Sequence, residues 1–131
     1  MPVVDDVYLG NPNLKKANVQ QEFTKEQILE FVACKEDPVY FAKKHVKIVS
    51  LDEGLVPFKP YDFQETLIER FHANRFNICK MPRQTGKSTT SVSYLLHYAV
   101  FNDNVNIGIL ANKAATARDL LGRLQTAYEN L

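Results

Sequence analysis

The sequence predicts an α/β fold with a parallel sheet, preceded by a small, mainly helical subdomain. Three observations predict it. Apolar runs at 76–81 and 105–111 are each followed by a helical pattern. Only Asn102-Asp103-Asn104 separates the first of those helices from the second run, so strand, helix and strand join by a right-handed crossover. Between the first run and its helix lies Met81-Pro82-Arg83-Gln84-Thr85-Gly86-Lys87-Ser88, which ends as a phosphate-binding loop ends.

Residues 1–23 are polar, with Gly10, Pro12 and no sustained periodicity, and are expected as an extended arm. Thr24 opens a helix, with Gln27 placed to reach back and complete a capping box. Ile28, Phe31 and Val32 are expected as its buried stripe. Pro38 suits the first turn of a second helix, because its missing N–H is no loss there. That helix carries Val39, Tyr40 and Phe41 towards His45. Val46–Ser50 and Leu55–Phe58 flank the Asp52-Glu53-Gly54 turn as a hairpin, with Pro57 tolerated on an edge. A third helix is expected from Pro60 to about His72, buried along Leu67, Ile68 and Phe71.

The helix after the loop is expected from about Gly86 to Phe101, with Val92, Leu95, Leu96 and Ala99 on one stripe. The last begins near Ala114 and places Ala117, Leu120, Leu121, Leu124 and Tyr128 on one face. The chain thus divides into the arm at 1–23, a helical subdomain at 24–58, and a nucleotide-binding core from 59 to 131.

At 131 residues and 45% hydrophobic, the chain suits one globular domain or part of one. A net charge of +1 gives no bulk basic field, so contact with nucleic acid must rest on local patches. No signal peptide and no apolar stretch near 18 residues is visible, so a soluble cytosolic chain without membrane contact is expected. Cys34 and Cys79 are isolated, and both are expected as reduced core residues without a disulfide or zinc site. His45, His72 and His97 share no spacing and are expected as ordinary surface or half-buried residues. No triad and no metal cluster is expected from the spacing.

The loop carries the chemistry. Its backbone N–H groups and the helix dipole favour a phosphate. Lys87 would reach the β- and γ-phosphates, and the Ser88 hydroxyl would ligate Mg²⁺. Thr85, Gly86 and Thr89 complete the cradle for ATP. Met81 stands where the usual pattern has its first glycine, and Arg83-Gln84 stands inside the loop.

That R-Q-x-G-K-S form resembles the deviant loop of large terminase subunits, the DNA-packaging motors of tailed bacteriophages. The myovirus branch is also resembled at Tyr8–Asn18, Asp37–Ala42, Tyr61–Gln64 and Asn106–Lys113, in order along nearly the whole chain. The resemblance implies a P-loop, RecA-like ATPase domain with additional strands, powered by ATP and Mg²⁺. It also implies double-stranded DNA, a portal protein and a small terminase subunit as partners, in a ring on the procapsid within the host cytoplasm. Gln64 resembles the glutamine that such motors place ahead of the loop, where its amide matches adenine; the alternative is a surface glutamine. Arg83 resembles the loop arginine given a catalytic or ATP-sensing role; the alternative is a carboxylate partner that shapes the loop. Gln84 is expected to be structural within the loop.

Terminases carry their Mg²⁺-binding and water-activating acids, and a nuclease domain, further downstream. The chain is therefore expected as the N-terminal part of such a motor, gripping nucleotide without cutting DNA. In this class the two strands are not sheet neighbours, so 76–81 and 105–111 are expected to flank a gap lined by Ile78, Ile107 and Ile109. An isolated chain of that kind is expected to be marginal or aggregation-prone. Two other readings stay open: a superfamily 2 helicase fragment, and a nucleotide-binding or assembly module without turnover. Asn112 is expected to cap the last helix, or with Lys113, Thr116 and Arg118 to face DNA or a neighbouring subunit.

Overall fold

A computed structural model describes residues 7–131, the side chains of residues 12–14 excepted. Within the arm, β1 (Val7–Tyr8) and β2 (Asn11–Lys15) pair as an antiparallel hairpin. Residues 1–6 of the arm lie outside the described residues.

Helix α1 (Lys25–Glu36) begins as the local sequence dictates. The Gln27 N–H donates to Thr24 Oγ1 at 3.2 Å, and the Thr24 N–H donates to Gln27 Oε1 at 2.9 Å. Its buried face differs from the one expected. Ile28, Phe31 and Val32 are all exposed, and Cys34 is the buried residue. The chief neighbour of α1 is the next helix, so only the edge turned to that helix is covered. Phe31 still leans on Phe101, with ring centroids 5.0 Å apart.

Helix α2 (Pro38–His45) is capped by Asp37, whose Oδ1 accepts from the N–H groups of Val39 and Tyr40. Pro38 occupies its first turn, as expected. Strands β3 (Lys47–Ser50) and β4 (Gly54–Pro57) then form the expected hairpin, with Ile48 opposite Val56. The Phe58 N–H continues the ladder by donating to the Val46 carbonyl at 2.8 Å. Helix α3 (Asp62–Ala73) buries Ile68 completely and covers Leu67 and Phe71 in part.

Helix α4 (Lys87–Phe101) buries Val92 and Leu96; Leu95 is half-buried and Ala99 is exposed. Helix α5 (Ala114–Glu129) packs mainly on α4, and Ala117, Leu120 and Leu124 of the expected face are half-buried. Ala127 is its buried residue, Leu124 packs against the core, and Leu121 and Tyr128 are exposed.

One core joins these pieces. Cys34, Val39, Phe41, Ala42, Val46, Phe58, Ile68, Leu96 and Ala127 form it, drawn from α1 to α5 and the hairpin edge. Burying Ile68 or Leu96 is worth about 1.5–3 kcal/mol each. The core therefore unites the helical subdomain with the helix that follows the loop.

The fold is mixed helix and sheet, and its two sheets are antiparallel two-stranded hairpins. The expected parallel sheet does not form among the described residues. Segments 76–81 and 105–111 run without strand assignment, and no backbone hydrogen bond joins them. A strand exists only through a partner's backbone, and each of these segments lacks one among the described residues. Ile78 is 100% exposed, Phe76 83% and Leu110 93%, while Ile107 and Ile109 are half-buried.

Candidate functional site

The loop at 82–86 is shaped by two left-handed residues. Gln84 has φ 60° and Gly86 has φ 73°, the latter being the N-cap of α4. Glycine adopts that conformation freely, whereas Gln84 adopts it at a cost of about 1–2 kcal/mol. A Cβ at residue 86 would also collide with the Gln64 amide nitrogen, which would have to shift.

No side chain caps the N-terminus of α4. The first intrahelical bond is from Thr90 N–H to the Gly86 carbonyl, at 2.9 Å. The amides of Lys87, Ser88 and Thr89 thus lack intrahelical acceptors, and the positive end of the helix dipole is unopposed. Lys87 is half-buried, and its ammonium donates to the carbonyls of Met81 at 2.8 Å and Pro82 at 3.0 Å. Thr85 Oγ1 donates to the Pro82 carbonyl at 3.0 Å, which tightens the turn. Thr90, fully buried, donates its hydroxyl to the Gly86 carbonyl at 2.9 Å. Its part in fixing the helix start was not expected from sequence.

Gln64 is buried at 4% exposure, and both functions of its amide are in use. Oε1 accepts the Tyr61 N–H at 2.9 Å, and Nε2 donates to the Thr85 carbonyl at 3.2 Å. The side chain therefore ties the start of α3 to the loop. The surface-glutamine alternative is set aside by this burial. Ser88 and Arg83 are exposed, and Arg83 makes no hydrogen bond or ion pair with the described residues. Gln84 is exposed, and Thr89 is half-buried. The structure brings Gln64, Thr85, Gly86 and Lys87 together around one loop and leaves Arg83 projecting from it.

No protein-family model matches this chain.

Three expectations outside the loop are corrected. Lys113, not Asn112, is the N-cap of α5, and no side chain caps that helix. Cys79 is exposed, because the segment that carries it has no sheet to be buried in. His97 is buried at 3% exposure, among the rings of Phe41, His72, Tyr94 and Phe101. Its Nε2 lies 2.9 Å from the Cys34 carbonyl, and burial holds its pKa below the usual value.

Sequence spacing shows no sign of one further grouping of side chains. One ligand atom each from Glu30, Cys34 and His45 lies within 4.8 Å of the others. Glu30 and Cys34 are four residues apart on α1, a spacing readable as one helix face. His45 joins them only because α2 folds back on α1. Thr116 and Arg118 are exposed on α5, and among the described residues no helix is long and apolar enough to cross a membrane.

Proposed function

We propose that this chain is the ATP-binding N-terminal part of the large subunit of a viral terminase, which drives double-stranded DNA into procapsids. One observation carries the reading: an uncapped helix N-terminus is presented by a loop with Gln84 and Gly86 left-handed, and Lys87 is folded against that loop. Such a loop is a cradle of N–H donors beside a cation, the arrangement a triphosphate needs. The ordered sequence resemblances from Tyr8 to Leu131 support the more specific assignment.

In this reading the amides of 86–89 hold the phosphates, and the Lys87 ammonium moves from the Met81 and Pro82 carbonyls to the β- and γ-phosphates. Ser88 would hold Mg²⁺, which screens charge between the phosphates. Gln64 sets the height of the loop through Thr85, and Arg83 is free to approach the γ-phosphate. DNA, a portal protein and a small terminase subunit are the proposed partners, in a ring on the procapsid in the host cytoplasm.

Binding and turnover of Mg²⁺-ATP test the reading. The expected outcome is binding without hydrolysis above background, with Arg83→Ala weakening ATP about tenfold and ADP hardly at all. Equal losses for ATP and ADP would remove the γ-phosphate role of Arg83. Rapid turnover by this chain alone would contradict its assignment as a nucleotide-gripping part of a larger motor.

A further inference from the structure

A second cluster of chemistry-bearing side chains lies away from the loop, where α1 meets α2. Glu30 is its hub. Its Oε1 is 2.8 Å from His45 Nε2 and accepts from the Cys34 thiol at 3.6 Å. Its Oε2 accepts from the Lys44 ammonium at 2.7 Å and from the Tyr40 hydroxyl at 3.1 Å. The two oxygens are thus divided between two environments. One faces a thiol and an imidazole; the other is held by a cation and a phenol.

We propose that Glu30, Cys34 and His45 form a binding site for a zinc-like divalent cation that clamps α1 to α2. The donor set decides the class of ion. A thiolate, an imidazole and a carboxylate together suit Zn²⁺ or Co²⁺, whereas Mg²⁺ and Ca²⁺ take oxygen ligands alone. The distances suit it too. Ligand atoms around tetrahedral zinc are roughly 3.3–3.6 Å apart, given bonds of about 2.0 Å to nitrogen and 2.3 Å to sulfur. Here one pair is 2.8 Å apart, another 3.6 Å, and all three atoms lie within 4.8 Å. Small rotations of Cys34 and His45 bring the set to the required size.

The surroundings are those of a metal ligand. Lys44 and Tyr40 fix the outer carboxylate oxygen and so aim the inner one, the outer-shell support that ligating carboxylates ordinarily have. Charge is also accounted for: a thiolate and a carboxylate neutralise a dication, and the Cys34 proton leaves to solvent. A cavity of about 510 Å³ opens beside the cluster, lined by Phe31, Phe41, Val100 and Phe101 as well as by the three ligands. It leaves a fourth position for water. Cys34 is the one buried residue of α1, so the ion would fix the helix whose apolar face is otherwise least covered.

Cobalt(II) is the direct probe, because thiolate ligation gives a near-ultraviolet charge-transfer band. One equivalent of Co²⁺ added to the reduced chain is expected to give that band, and Zn²⁺ to abolish it. Cys34→Ser should lose the band and Cys79→Ser keep it. His45→Gln, altering a half-buried ring and not the core, should weaken Co²⁺ binding about tenfold or more. Zn²⁺ should raise the Tm, and a chelator should reverse the gain. No band, or a band that follows Cys79, would overturn the proposal. Unchanged affinity in His45→Gln would overturn it as well, whether or not Cys34→Ser folds.

Discussion

Gly86 is the residue on which the loop turns. Its φ of 73° strains any residue with a side chain, and a Cβ there would push on the Gln64 amide. Gly86→Ala is expected to destabilise the fold by about 1–2 kcal/mol from backbone strain alone, read as a lowered urea midpoint. Much at this scale was legible in the sequence, because it is local. Gly86 and Lys87 follow from motif chemistry, as Thr24 with Gln27 and Pro38 follow from capping rules. Gln64 is expected from sequence as an adenine contact; its bond to the Tyr61 N–H is a local capping contact, whereas its bond to the Thr85 carbonyl is not foreseeable. That second bond spans 21 residues of chain, and no periodicity encodes such a contact. Thr90 and His97 were missed for the same reason: their burial is decided by what packs on them.

Elements were legible in their starts and stops, and less so in their buried faces. The five helices among the described residues and the β3–β4 hairpin lie close to where the sequence places them, although Asn112 does not cap α5 and α3 begins at Asp62, not Pro60. The face of α1 differs from the expected one, and that of α5 is covered only at Ala117, Leu120 and Leu124, because periodicity locates an apolar stripe without saying whether a neighbour covers it. Ile28 and Leu121 are apolar and exposed for that reason. Strand formation is the sharper case. The runs at 76–81 and 105–111 have strand composition but no backbone hydrogen-bond partner among the described residues. Their amides are expected to exchange with solvent at nearly unprotected rates, while those of α2 and α4 are strongly protected. Hydrogen exchange read by mass spectrometry checks this, and protection in either segment would mean that it finds a strand partner.

Across the whole molecule, one core binds the helical subdomain to α4, and His97 is its polar seam. The ring sits between the α1 backbone and an aromatic group from α2, α3 and α4, with His72 as the nearest other titratable ring. Burial holds its folded pKa below the ordinary 6.5, so the unfolded chain takes up a proton that the folded chain refuses. Stability should be full above about pH 6.5 and fall as the pH drops below it. Denaturation curves in chelator are expected to show that acid limb, and His97→Phe to flatten it. A limb unchanged in that variant would place the titrating group elsewhere.

The proposed site for a nucleotide triphosphate lies between the loop at 82–86 and the start of α4, with Lys87 as its principal cation. Equilibrium binding of Mg²⁺-ATP to the wild type and to Lys87→Ala tests it most directly. Saturable binding to the wild type at one site is expected, with a loss of about 10–100-fold on removing the ammonium. Equal affinity in the two proteins would contradict it, because the loop would then hold ATP without the group that its geometry presents.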